Sequence, residues 1–398
     1  MVIWQAERPL YLLFINCSNN KPGNPTTPML NHLNRSFAVY IFSYLLVSAV
    51  HGQQQRAPSA HTLRDRFRDD FMIGTAVNAR QVQERIPMET QLLATQFNAI
   101  TPENVMKAQS LQPRWNSFNF EQADQLIEFS KKYHMNVNAH TLIWHSQLPR
   151  FVRSLQTADS LKLFMSNHIN TVAGRYYGKV QSWDVVNEAL NEDGTLRKSV
   201  FYDKLGENYI IEAFRLAQAA TPGTDLYYND YNNEKPAKRA GCIEIIKKIQ
   251  AAGVKIDGVG IQGHWHLGQL PIKDIEESIL QYAALGLKVA ITELDIEVLK
   301  RNFQGAEISQ RMNSDPSLDP YKESLPDSIQ QRLAEDYDAL FKLFVKHKDK
   351  IARVTFWGVH DGQSWLNGWP VAGRTNYPLL FDRQYRPKPA FYKVIDSE

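Results

Sequence analysis

An eight-fold (β/α)8 TIM barrel of the α/β class is predicted for residues 63–398, on three observations. Eight short apolar runs rich in β-branched residues recur along this stretch. Helix-length segments with apolar residues three and four apart separate them. No internal repeat and no Ser/Pro-rich linker divides the chain. Strands alternating with helices build a parallel sheet. Eight such units close into a barrel, which uses about 250 residues or more as one domain.

Residues 1–52 are expected to lie outside that fold. Phe37 to Val50 is an uncharged, apolar run, preceded by Arg35 and followed by His51-Gly52. A positive n-region, an apolar h-region and a small-residue end make a signal peptide. The run falls short of the roughly 20 residues a membrane span needs. Secretion is therefore expected, to the extracellular or periplasmic space, with no stable membrane association after cleavage. Met29 is a candidate start. Residues 53–62 read as a short polar linker.

The strands are predicted at Phe71–Val77, Phe97–Ile100, Val137–Leu142, Val180–Val186, Asp225–Tyr228, Gly258–Ile261, Val289–Thr292 and Val354–Trp357. Among the helices, Glu121–His134 carries Ala123, Leu126, Ile127, Ser130 and Tyr133 on one face. Cys242 falls in a helical pattern with Ala240, Ile243, Ile246 and Ile249, where a small buried residue fits. One segment breaks the rhythm: Leu299 to Gln331, rich in Asn, Asp, Pro and Ser, between the seventh strand and its helix. A connection that long is usually functional or mobile. A wall of the binding site and a solvated insertion are both open. The chain ends just after the eighth unit, so no appended carbohydrate-binding module is expected.

Composition narrows the function classes. The chain has 398 residues, 43% hydrophobic and 22% charged, with a formal net charge of +3. Removing the leader, with Arg8, Lys21, Arg35 and Glu7, leaves it near neutral. No Lys/Arg-dense stretch appears, which argues against a nucleic-acid partner. The eight Trp and 17 Tyr offer flat faces for flat apolar ligand surfaces. Two cysteines, one of them (Cys17) in the leader, exclude a disulfide scaffold and a cysteine-built metal site.

The chemistry lies at the strand ends. In a parallel barrel, catalytic groups stand at the C-terminal face. The fourth strand runs Trp183-Asp184-Val185-Val186-Asn187-Glu188, and the seventh runs Val289-Ala290-Ile291-Thr292-Glu293-Leu294-Asp295. Each ends in a glutamate. Retaining glycoside hydrolysis needs two such carboxyl groups, one a nucleophile and one a proton donor. Glu188 then requires a raised pKa and Glu293 an ionised carboxylate. His264 between Glu293 and Asp295 would hold the nucleophile's orientation and charge. Asn187 suits a hydrogen bond to a sugar 2-hydroxyl. Polar residues and indoles at other strand ends fit a sugar cleft: Glu103, Asn104 and Lys107, on the first turn of a helix; His140, Trp144 and His145; Gln262, His264 and His266; Trp357, Trp365 and Trp369.

Taken together, these strings resemble glycoside hydrolase family 10, whose members are mostly endo-β-1,4-xylanases. The resemblance covers about Leu63 to Ile395. It rests on Thr101–Lys107, His140–His145, Trp183–Ala189, Tyr228–Asn232, Gly258–His264, Ile291–Asp295 and Thr355–Trp365. It implies xylan as the polysaccharide substrate, Glu188 as acid/base after the fourth strand and Glu293 as nucleophile after the seventh. It further implies glycone-side contacts from Glu103, Asn104, Lys107, His140, Trp144, Asn187, Gln262, His264, Trp357 and Trp365, and aglycone-side contacts from Tyr231 and Asn232. No metal and no organic cofactor is implied, and a monomer is expected. The chain departs from the family's pattern at Ala108, at Trp265-His266 and across Val359–Gln363, all expected to border the cleft. Three alternatives stay open. One is a retaining hydrolase of another β-1,4-glycan, cellulose or mixed-linkage glucan. Another is a metal-dependent barrel hydrolase with zinc on His140, His145, His264 and His266. The third is a sugar-binding protein without catalysis.

Overall fold

The computed structural model describes residues 62–303 and 305–397. The predicted leader, the candidate start Met29, Cys17 and the linker up to His61 lie outside the described residues. Among those residues, no helix is long and apolar enough to cross a membrane.

Among the described residues, nine parallel strands form the sheet: β1 Met72–Val77, β2 Ala99–Pro102, β3 Asn136–Trp144, β4 Ser182–Asn187, β5 Asp225–Asp230, β6 Gly258–Ile261, β7 His264–His266, β8 Lys288–Glu297 and β9 Ile351–Phe356. Neighbours run in sequence order from β1 to β6; β6 then pairs with β8, and β8 through β9 returns to β1. The eight predicted strands thus close the barrel. The ninth, β7, was not foreseen. It pairs only with β8, His264 opposite Asp295 and His266 opposite Glu297, above the barrel rim.

The strands alternate with helices as predicted; Glu121–Lys132 buries Ala123, Leu126, Ile127, Phe129 and Ser130. The helix Pro236–Ala251 differs in its face. It buries Cys242, Ile245, Ile246 and Ile249, but Ala240 is exposed and Ile243 only partly covered. Lys238 on the same helix is fully buried and pairs with Asp230 at 2.9 Å.

Polar side chains run up the barrel interior towards the C-terminal face. Arg353 donates to Thr355 Oγ1 (2.9 Å) and Ser182 Oγ (3.3 Å). Ser182 donates to Asn138 Oδ1, and Asn138 donates to Asp184 Oδ2. Asp184 holds His140 Nδ1 at 2.9 Å. Buried polar groups are stable only when they satisfy one another, and this column ends at the cleft. The strand register shifts near that end: between His140 and Ile143 in β3, between Asp184 and Val186 in β4, and between Ile291 and Leu294 in β8. Bulges of this kind re-aim side chains beside active sites.

Candidate active site

A cavity of about 120 Å³ opens at the C-terminal ends of the strands. Its walls are Glu103, Asn104, Lys107, His140, Trp144, Gln147, Asn187, Glu188, Gln262, His264, Glu293, Ala306, Ile308, Trp357 and Trp365. A larger groove of about 670 Å³, between the helices Ala158–Arg175 and Asn208–Ala220, contains no cluster of buried carboxylates.

Glu293 sits within β8. Its Oε2 lies 3.3 Å from His264 Nε2, and His264 Nδ1 lies 3.0 Å from Asp295 Oδ1. Trp365 Nε1 donates to the other oxygen of Asp295 at 2.8 Å. The predicted Asp295–His264–Glu293 alignment is therefore present, with Asp295 lying beneath the cavity wall. Burial favours a neutral His264 ring, but Asp295 and Glu293 flank it and push its pKa up to about 10. Burial would also raise the Glu293 carboxyl. The His264 hydrogen bond and the charges of His140, His264 and Lys107 outweigh it, and the pKa is lowered.

Glu188 faces the opposite conditions. Burial raises its pKa; His145 opposes this, while Asp230 and Glu293 add to it. Trp144 Nε1 donates to Oε2 at 2.8 Å, and Gln262 Nε2 donates to Oε1 at 3.1 Å. Its backbone has φ +57, in the left-handed region that costs a side-chain-bearing residue about 1 kcal/mol or more. Two bonds hold that conformation: Glu188 N–H to the Asn229 carbonyl (2.9 Å) and Arg197 Nε to the Glu188 carbonyl (3.1 Å).

Between the two carboxyl groups runs a chain of amides. Thr292 Oγ1 donates to Asn229 Oδ1 at 2.6 Å, which turns the Asn229 amide so that Nδ2 points inward. That nitrogen donates to Glu293 Oε1 and to Asn187 Oδ1, each at 2.9 Å. Gln262 Nε2 reaches Asn187 Oδ1 (3.5 Å) as well as Glu188. The Asn187 oxygen is thus occupied from inside, and its amide NH2 is left for the cavity. Gly260 makes room for this arrangement, since a Cβ there would lie 2.2 Å from Asn229 Oδ1.

The remaining predicted residues fall into two groups. Lys107 Nζ bonds Asn104 Oδ1 (3.2 Å) and Gln147 Oε1 (2.8 Å) and lies 4.7 Å from the Trp144 ring centre. Burial lowers its pKa, against the pull of Glu293, Glu103 and Glu188. Glu103 is raised, mainly by burial. His140 and His264 both pack edge-on to Trp357. Tyr231 and Asn232, by contrast, stand beside the cavity without lining it. The Tyr231 hydroxyl accepts from Arg197 (2.8 Å), and Asn232 Nδ2 donates to Glu192 (2.8 Å).

Several expectations need correction. Glu103 to Lys107 form a non-helical turn, with Lys107 capping a helix that begins at Ala108. The chain's departures from the family pattern do not line the cleft. Trp265 is buried against Glu234; His360 binds Glu89, Asp361 binds Lys388, and Ala108 is buried. The zinc set does not assemble either. His140 is taken by Asp184, His264 by Glu293 and Asp295, and His266 accepts from Arg301 (2.7 Å). Four contributors were not singled out from sequence: Asn229, Gln147, Arg197 and Glu307. Asn229 lay within the quoted Tyr228–Asn232 string, at a strand end like the others, and that was its only signal.

Two buried carboxyl groups with proton affinities driven in opposite directions across one cavity make an acid and a base or nucleophile at the same pH. Comparison with known proteins agrees. Residues 62–397 match glycosyl hydrolase family 10. The chain is 40% identical over 346 residues to endo-1,4-beta-xylanase A of Xylanibacter ruminicola, covering 85% of this chain and 94% of that one. It is 38% identical over 363 residues to a thermostable celloxylanase of Thermoclostridium stercorarium, covering 86% and 89%. The solved structure of a GH10 endoxylanase from a sugarcane soil metagenome superposes with a TM-score of 0.81 at 43% identity, over 84% of this chain and all of that one. This chain is a glycoside hydrolase and belongs to glycosyl hydrolase family 10.

Proposed function

We propose that the protein is a retaining endo-β-1,4-xylanase in which Glu293 is the nucleophile and Glu188 the acid/base. The observation that carries the reading is the opposed electrostatics of the two glutamates across one cavity: His264 and Lys107 push the Glu293 carboxyl down, and burial pushes the Glu188 carboxyl up. In the first step Glu293 attacks the anomeric carbon while Glu188 protonates the departing glycosidic oxygen. Glu188, now a carboxylate, then takes a proton from the water that releases the sugar from Glu293. The free NH2 of Asn187 meets the sugar 2-hydroxyl. Glu103, Asn104, Lys107 and His140 bind hydroxyls, and Trp144, Trp357 and Trp365 supply flat apolar surface. Tyr231 and Asn232 shape the aglycone side from behind Arg197 and Glu192.

The named activities of the relatives support xylan as the substrate. The celloxylanase among them favours a second reading, activity on a β-1,4-glucan as well. Residues 1–52 carry an apolar run of signal-peptide type, Phe37 to Val50, which supports secretion. Proton NMR of the anomeric region during digestion of glucuronoxylan tests the whole assignment. Early β-anomer is expected. Early α-anomer would keep the substrate and overturn the double displacement. No product from xylan, with product from mixed-linkage glucan, would leave only the second reading.

A further inference from the structure

The long insertion after β8 reaches the cleft through Ala306 and Ile308, which line the cavity on either side of Glu307. Glu307 Oε2 lies 2.6 Å from Arg197 Nη1 and 3.5 Å from His145 Nε2. Ligand-type atoms of His145, Glu188 and Glu307 all lie within 4.8 Å of one another. Arg197 in turn donates to the carbonyl of Glu188, the residue with left-handed backbone, and to the carbonyl of Leu190. The same stretch is tied down upstream, where Arg301 pairs with Glu297 (3.2 Å) and donates to the Gly305 carbonyl. Gly305, at φ +94, packs where a Cβ would lie 3.2 Å from Tyr231.

We propose that Glu307 is a positioning residue for Glu188: through Arg197 and His145 it clamps the insertion onto the acid/base and holds a negative charge beside that carboxyl. The insertion is then a structural part of the catalytic apparatus. The proposal rests on Glu188 being the acid/base. The same three side chains have the spacing of a cation site, but Arg197 already occupies the Glu307 oxygen, and a metal ion would have to displace it.

The charged and titratable groups facing Glu188 are His145 after β3, Asp230 at the end of β5, Glu293 in β8, Lys107 after β2, and Arg197 with Tyr231 beside it. Glu307 offsets Arg197 in that set. Glu307→Gln removes a negative charge and leaves Arg197 uncompensated, and both changes favour ionised Glu188. The alkaline limb of kcat/KM on xylan is therefore expected to move down by about half a pH unit or more. The kcat should fall about 10-fold with KM little changed, and aryl xylosides with good leaving groups should lose less. Glu307→Asp, which keeps the charge but withdraws it from Arg197, should lower kcat with the limb in place. An unmoved limb in Glu307→Gln, with loss confined to Tm, would overturn the proposal. Where Glu307→Gln does not fold, an unchanged kcat in Glu307→Asp would overturn it. The underlying reading fails separately: Glu188→Ala would then lose as much on good leaving groups as on xylan.

Discussion

The two sides of the cleft are built from similar materials and do opposite things. Both hold a buried glutamate at the C-terminal face of the barrel, Glu188 just past β4 and Glu293 within β8, and each accepts one amide hydrogen bond from the same chain of Asn and Gln. What differs is the charge beyond that bond. Behind Glu293 stand an imidazolium, kept charged by Asp295, and the ammonium of Lys107. Behind Glu188 stand an indole, His145 and a further carboxylate, Asp230, whose charge opposes that of His145. Burial alone raises any carboxyl. The neighbours decide which one escapes that rise.

The largest expected effect comes from removing the ionised member. Glu293→Gln should lower kcat on xylan by roughly 10⁴-fold or more, and substantial residual turnover would remove it as the nucleophile. Glu188→Ala should cost roughly 10²–10⁴-fold on xylan and much less on aryl glycosides with good leaving groups. The pH profile sharpens the contrast. Glu293 must be ionised and its pKa is lowered, so the acid limb of kcat/KM should lie below the ordinary glutamate range. Glu188 must be protonated and its pKa is raised, so the alkaline limb should lie above it. In Glu188→Ala the alkaline limb should disappear; its persistence would assign it to another group. Next in size is Gly260→Ala, whose methyl would displace the Asn229 side chain from Glu293. A loss of about 10-fold in kcat is expected, matching one hydrogen bond to a charged group, and Asn229→Ala should lose a similar amount. The smallest change is Gln262→Leu. It removes a bond that favours ionised Glu188, so the alkaline limb should rise by a few tenths of a unit, visible in the same profile.

The sequence was most informative about what repeats. Each of the eight barrel strands falls within a few residues of its apolar run, because burial on both faces of a parallel strand leaves a continuous signature. Glu188 and Glu293 could be placed because each ends such a run. Beyond the strand ends the signal fades. Arg197 and Glu307 meet across 110 positions, and nothing local marks either one. Trp265 and His360 were expected at the cleft from their position alone, yet the loops carrying them turn their side chains towards Glu234 and Glu89. Strand β7 escaped because three residues, His-Trp-His, are too short a run to tell a strand from a loop. A side chain's direction after a strand ends is set by the path of the loop, which tertiary packing decides.

The amide chain from Gln262 through Asn187 to Asn229 has a consequence for anyone wishing to retune the enzyme. Its two ends are the two reacting carboxyls, so its centre is a shared hinge for both titrations. A substitution at Asn187 would act on both limbs of the pH profile at once, because its oxygen accepts from both Asn229 and Gln262. More selective handles lie at the flanks, with His145 and Asp230 beside Glu188 and His264 beside Glu293. A variant for alkaline conditions should therefore be sought outside the bridge, on the Glu188 flank, where a change acts first on the acid/base.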